Sequence, residues 1–203
     1  MAKTDWAESE VREIKTRKQA LRNEMARIRE RVHDCMKQRA GAMLVALAGD
    51  LVEPGCGRVV SGFYPFRGEI DSLPLLQTMG DAGWVTCLPV VVARDAALMF
   101  KRWRRGEPTR SGCLGTMEPV ASAPVVEPDL LLIPLLAFDR FGHRLGYGAG
   151  AYDRTVERLR RLRPVVTVGL AYSAQEVACV PNDSEDQRLD RILTENGFIE
   201  LGS

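Results

Sequence analysis

Histidine is scarce in this chain, cysteine never occurs as C-x-x-C, and neither charge sign dominates. Two histidines, His33 and His143, cannot build a histidine-rich metal centre and leave little room for a Ser-His-Asp triad. The five cysteines, Cys35, Cys56, Cys87, Cys113 and Cys179, are odd in number and scattered. That argues against a disulfide framework or a thiolate zinc site, and core or half-buried thiols are expected instead. Any metal should be hard and oxygen-bound. A net charge of +1 argues against a dedicated nucleic-acid binder. No apolar run approaches the roughly twenty residues of a bilayer span, and residues 1–13 are polar and acidic, unlike a secretory signal. A cytoplasmic protein with neither nucleic-acid nor membrane partners is therefore expected. The P-loop pattern G-x-x-x-x-G-K-[ST] is absent as well.

With 203 residues, 45% of them hydrophobic, the chain can bury one sizeable core, and a single domain over 1–203 is the simplest organisation. Residues 5–48 lack proline, are rich in helix formers, and place Val11, Ile14, Leu21, Met25, Ile28 and Val32 at near-helical spacing. Two helices are expected there, broken near 34–41. The cluster Pro54-Gly55-Cys56-Gly57 punctuates the chain before an α/β core over about 57–200. Strands are expected over 58–64, 84–92, 98–103, 129–138 and 164–172, and helices over 73–82 and 151–162. Residues 104–128, rich in Gly, Pro, Ser and Thr, read as a long irregular connection, and a last strand or helix is expected around 189–198. The alternation predicts a three-layer α/β/α domain on a largely parallel sheet, with Rossmann-like topology.

The most informative stretch is F-D-R-F-G-H-R-L-G-Y-G-A-G-A-Y-D-R over 138–154, between an apolar strand and a helix. A glycine loop that enters a helix presents backbone N–H groups to phosphate, so a nucleotide is the expected ligand. Gly146-x-Gly148-x-x-Ala151 formally fits the dinucleotide fingerprint, but that motif belongs at a first strand, with an acid about twenty residues on. Arg144 can neutralise phosphate oxygens, Gly146, Gly148 and Gly150 allow close approach and positive φ, Asp153 can hold magnesium, and Tyr147 and Tyr152 offer flat surface. The plainer alternative is a strand-to-helix turn with surface ion pairs.

The run Arg144-Leu145-Gly146-Tyr147-Gly148-Ala149-Gly150-Ala151-Tyr152-Asp153-Arg154 resembles the R-L-G-Y-G-G-G-Y-Y-D-R signature of 5-formyltetrahydrofolate cyclo-ligases, also called methenyltetrahydrofolate synthetases. Lys18-Gln19-Ala20-Leu21-Arg22 is similar to that family's K-x-x-L-R, and residues 64–71 to its Y-x-x-x-x-E-x-D segment. Further landmarks follow in order at 88–91, 115–119, 134–139, 169–175, 186–190 and 194–195. Departures occur at Ala149, at Ala151, where the family has tyrosine, and at Glu185, where bacterial members often carry histidine.

The resemblance implies ATP- and Mg2+-dependent closure of 5-formyltetrahydrofolate to 5,10-methenyltetrahydrofolate through a phosphorylated formyl intermediate. It implies Lys18 and Arg22 on the ATP phosphates, Arg144 with Lys18 as the catalytic cations, and the loop Leu145, Gly146, Tyr147, Gly148, Ala149, Gly150, Ala151 and Tyr152 around ATP. Tyr64, Glu69, Tyr147, Gly148 and Ala151 would meet the reduced folate, Asp153 and Asp186 would hold magnesium, and the enzyme would be a monomer. Bland alternatives stay open: Lys18 and Arg22 as solvated helix surface, Glu69 and Asp71 as helix caps, His143 as a loop hydrogen-bonding residue, and Trp103 as either a ring in the folate pocket or a strand residue. A paralogue acting on another formylated substrate, or a silent nucleotide- or RNA-binding module using residues 12–39 and 101–105, would fit the same chain less closely.

Overall fold

The computed structural model describes residues 2–52, 55, 57–112 and 115–202. Pro54, Cys56 and Cys113 lie outside them. Helices α1 (Ala2–Met36) and α2 (Ala40–Leu47) flank a turn where the break is expected. Then come β1 (Val59–Ser61), α3 (Leu73–Asp81), β2 (Val85–Val90), β3 (Met99–Arg102), β4 (Thr109–Ser111), β5 (Met117–Pro119) and β6 (Val125–Val126). The chain continues through β7 (Leu130–Pro134), β8 (Ala137–Phe138), β9 (Arg144–Leu145), α4 (Ala151–Leu162), β10 (Val166–Leu170), β11 (Arg191–Thr194) and β12 (Gly197–Phe198).

The main sheet runs β12-β11-β10-β7-β1-β2-β3-β6. Its middle strands β11, β10, β7, β1 and β2 are parallel, and antiparallel strands close both edges. Taken in chain order, the parallel strands are arranged 2-1-3-4-5, the flavodoxin-like version of a doubly wound sheet. The Rossmann-like expectation holds in that form. The order reverses between β1 and β7, and a crevice for ligands opens outside the carboxyl ends of strands at such a reversal.

Strand β7 shows why the sheet is covered on both faces. Its side chains alternate: Leu130 and Leu132 join Leu44 of α2 and Leu75, Leu76 and Met79 of α3 in one core. Leu131 and Ile133 join Val156 and Leu159 of α4 in the other. Each such buried leucine contributes roughly 1.5–3 kcal/mol by leaving water, so the apolar run from Leu130 to Ile133 anchors all three layers. A third cluster, Met25, Leu136, Ala137, Leu145 and Val180, with Leu21 and Ile28 against it, fastens α1 to the strand ends.

Residues 104–128 differ from the irregular connection expected of them. They hold the β4–β5 hairpin and the edge strand β6, which pairs with β3. Strands of two or three residues carry too little alternation to stand out among turn residues.

Candidate active site

Two loops meet at the reversal: residues 62–72 after β1, and residues 135–150 after β7. Asp139, fully buried, organises the second by accepting from the backbone N–H groups of Phe141, His143 and Val180, and from His143 Nδ1 at 3.1 Å. His143 is thus a loop hydrogen-bonding residue. Beyond the β8–β9 hairpin, Gly148 has φ +100° and Gly150 φ +65°, conformations that L side chains rarely adopt. Gly146 has no positive φ, and a Cβ placed on it would meet nothing within 4 Å, so only two of the three glycines carry the conformational role expected of them. Gly150 is the N-cap of α4 and supplies no side-chain cap, which leaves first-turn N–H groups for an anionic ligand.

Cations surround this loop. Arg22 Nε donates to the Gly146 carbonyl at 2.9 Å, and its guanidinium sits 3.2 Å from where a Gly148 Cβ would lie. Lys18, 9% exposed, is not solvated surface: its Nζ donates to Asp183 Oδ2 at 2.7 Å and to Asp186 Oδ2 at 2.6 Å. Burial works against the Lys18 ammonium, but these hydrogen bonds and charges prevail and raise its pKa; the same contact lowers that of Asp183. Arg144, also buried, donates to Asp153 Oδ1 at 2.6 Å and to the Gln187 carbonyl. Arg154 donates to the Ala149 carbonyl at 2.7 Å.

Glu69 lies on the other side of the loop, 5% exposed, and does not cap α3; Asp71 does that, accepting from the Leu73 N–H at 3.0 Å. Glu69 Oε2 accepts from the Phe66 N–H at 2.9 Å. Burial pushes its carboxyl up to about 7, against the pull of the Arg29 charge, the Phe66 N–H and the Tyr147 hydroxyl. Burial and the Glu69 charge raise Tyr147 and Tyr152 as well. The ring packed edge-on to Tyr147, at 6.3 Å, is Phe66. Tyr64 instead packs on the first core, edge-on to Trp103 at 6.4 Å, and Trp103 is a buried core residue.

The expected loop residues divide by what they expose. Leu145 is buried in the third core, and Ala151 and Tyr152 pack against the second, whereas Tyr147 is 43% exposed. Cys87 is buried, while Cys35 and Cys179 are exposed rather than half-buried.

Asp153 and Asp186 fit a magnesium ion that arrives with phosphates. Each commits one oxygen to protein donors, Asp153 Oδ1 to Arg144 and the Gln187 N–H, Asp186 Oδ2 to Lys18 and the Asp183 N–H. The second oxygen of each accepts no hydrogen bond among the described residues. No cluster of three metal-binding side chains occurs among the described residues, so a phosphate ligand would have to complete the hard-oxygen shell.

Sequence reasoning missed Arg29 and Asp183. Lys18, Arg22, Met25 and Arg29 recur at i, i+4, i+7 and i+11, one stripe of α1, and that spacing was the available signal. Asp183 had only its place three residues before Asp186.

The family model for the 5-formyltetrahydrofolate cyclo-ligase family matches residues 14–195. The chain is 31% identical to the 5-formyltetrahydrofolate cyclo-ligase of Haemophilus influenzae over 182 residues, covering 87% of this chain and 97% of that one. It is 34% identical to the Escherichia coli K12 protein of the same name over 140 residues, 66% of this chain and 76% of that one. Among solved structures it resembles the 5,10-methenyltetrahydrofolate synthetase of Aquifex aeolicus, with TM-score 0.73 and 27% identity, covering 92% of this chain and 93% of that one. The match runs from the Lys18 helix through the glycine loop to Glu195, and on that extent the chain belongs to the 5-formyltetrahydrofolate cyclo-ligase family.

Proposed function

We propose that this enzyme, one domain acting as a cytoplasmic monomer, converts 5-formyltetrahydrofolate and ATP, with Mg2+, to 5,10-methenyltetrahydrofolate, ADP and phosphate. One observation carries the reading. At the strand-order reversal, a glycine loop ringed by Lys18, Arg22 and Arg144 adjoins a buried carboxyl, Glu69, beside the exposed Tyr147 ring. The first half suits a polyphosphate, the second a flat heterocycle with reactive nitrogens.

A formyl amide is a poor electrophile because its nitrogen lone pair delocalises into the carbonyl. In the proposed reaction the formyl oxygen attacks the γ-phosphorus, the bond to the β,γ-bridging oxygen breaks, and ADP departs. The folate N10 then attacks the activated carbon and loses its proton. Finally the carbon–oxygen bond breaks, phosphate leaves with the electron pair, and the methenyl cation remains.

The protein's part is positioning and charge compensation. Lys18 and Arg22 bind the phosphate tail, and Arg144 meets the charge that develops on the transferred phosphoryl group. The N–H groups of residues 146–152 add the roughly half positive charge of a helix start. Asp153 and Asp186 would hold magnesium, which would supply charge neutralisation for the phosphates. Lys18 and Arg144 are paired with these same aspartates, so phosphate and metal together can replace both halves of each ion pair without stranding a charge. Glu69, poised at about 7, is matched to accepting the N10 proton near neutral pH. Tyr147 flanks the pterin.

The test mixes the protein with 5-formyltetrahydrofolate and Mg-ATP, follows the near-ultraviolet absorbance of the methenyl product, and uses Asp153→Asn as control. ATP-dependent product that collapses in the control is expected. ATP binding without product would reject the reading.

A further inference from the structure

Arg29 is 2% exposed and belongs to no ion pair among the described residues. One of its terminal nitrogens donates to the Leu135 carbonyl at 3.3 Å, the other to the Arg67 carbonyl at 2.7 Å and to the Tyr147 hydroxyl. Its Nε is buried without a partner. Leu135 follows β7 and Arg67 lies in the loop after β1, so a single side chain from α1 ties together the two strand ends that flank the order reversal. A buried guanidinium with no carboxylate paired to it costs several kcal/mol, and a fold keeps such a group where its charge or its donors have a use.

Donor bookkeeping shows the use. Arginine has five N–H donors and no acceptor. In the Arg29–Tyr147 contact the phenol oxygen must therefore accept, and the Tyr147 proton is free to point elsewhere. The Tyr147 hydroxyl and the Arg29 charge both favour the ionised form of the Glu69 carboxyl. The Arg29 guanidinium also lies 5.3 Å from the centroid of the Tyr147 ring.

We propose that Arg29 is a positioning residue of the active site: it locks the loops after β1 and β7 together and holds Tyr147 by its phenol oxygen, which leaves the hydroxyl proton for the Glu69 side of the site. The carboxyl is thereby held in one orientation, and its ionised form is favoured against the effect of burial. Its consequence for folate chemistry rests on the reaction proposed above; the orientation of Tyr147 does not. The groups that bear on Glu69 are Arg29 from α1, Tyr147 from the glycine loop, Tyr152 from α4, and the Phe66 N–H of its own loop, while Arg67 acts on Tyr147.

The experiment is a pH titration by NMR of the full chain, 13C-labelled at glutamate, with the Glu69 resonance identified by its loss in Glu69→Gln. Arg29→Gln should raise the Glu69 midpoint by about one pH unit or more, as expected when an opposite charge is withdrawn. Arg29→Lys keeps the charge but not the fork and should raise it less. Tyr147→Phe should raise it with Arg29 still in place. In turnover, the KM for ATP should hold while the pH-rate limb moves upward with the same midpoint. Midpoints that stay at the wild-type value in the variants that fold would overturn the proposal, however much activity is lost. Should Arg29→Gln fail to fold, Arg29→Lys and Tyr147→Phe decide between the same outcomes. A wild-type protein that makes no methenyl product would reject the proposed reaction, and the titration would still decide the role of Arg29.

Discussion

Glu69→Gln should make the protein more stable above neutral pH while removing its activity. The Glu69 carboxyl rises from its ordinary 4.5 to about 7 in the folded protein. At about 1.4 kcal/mol per pH unit, that difference is worth roughly 3 kcal/mol. The sign follows from which state holds the proton more tightly. Between pH 4.5 and about 7 the folded chain keeps a proton that the unfolded chain releases, so stability from this group is present at low pH and is lost as pH rises through the folded value. Glutamine mimics the protonated carboxyl, keeps an acceptor for the Phe66 N–H, and cannot ionise. The advantage of the variant should be near zero below about pH 4.5 and grow to roughly 3 kcal/mol above pH 7, about 6–12 °C in melting temperature for a chain of this size. Thermal or urea unfolding of both proteins from pH 5 to 8.5 reads it directly, and other titrating groups cancel in the difference. A difference that stays flat with pH, or a variant less stable at pH 8, would refute the reasoning.

Lys18→Ala should weaken ATP binding by roughly 10–100-fold, the worth of one charge-assisted hydrogen bond, and leave folate binding unchanged by calorimetry; an unchanged ATP affinity would remove Lys18 from the phosphate site. Asp153→Asn should lower kcat by about 100-fold and shift the magnesium dependence upward, because the Arg144 partner and a hard-oxygen ligand go together; equal activity at low magnesium would contradict it. Gly150→Ala should cost about 1–2 kcal/mol in urea unfolding, since φ is +65° and the new Cβ would lie 2.8 Å from an Arg154 nitrogen. Gly146→Ala, facing open space, should be within about 0.5 kcal/mol of wild type, and equal losses at both glycines would undo that distinction. Leu132→Ala, at a fully buried site in the first core, should cost about 2–5 kcal/mol.

Much of the fold was legible because its signals are local. The helix break near 34–41, the all-apolar run 130–133 and the turn at Gly150 each follow from neighbours in the chain: helix formers without proline, a strand buried on both faces, a residue that tolerates positive φ. The motifs of the glycine loop, of Lys18 and Arg22 and of Glu69 were readable for the same reason, each lying within a few residues. The short strands β4, β5 and β6 were not, because pairing partners rather than pattern define strands of two or three residues.

The amino-acid sequence by itself determined the layered α/β architecture, the glycine loop between strand and helix, and the family, since periodicity, turn chemistry and ordered motifs are properties of short segments. Only the tertiary structure decided which cation meets which acid, that Phe66 rather than Tyr64 packs on Tyr147, and that Arg29 reaches across the sheet reversal to the Glu69 side of the site. Those contacts join residues far apart in the chain. Their strength depends on burial, and burial exists only once the layers have closed over Lys18, Arg29 and Glu69.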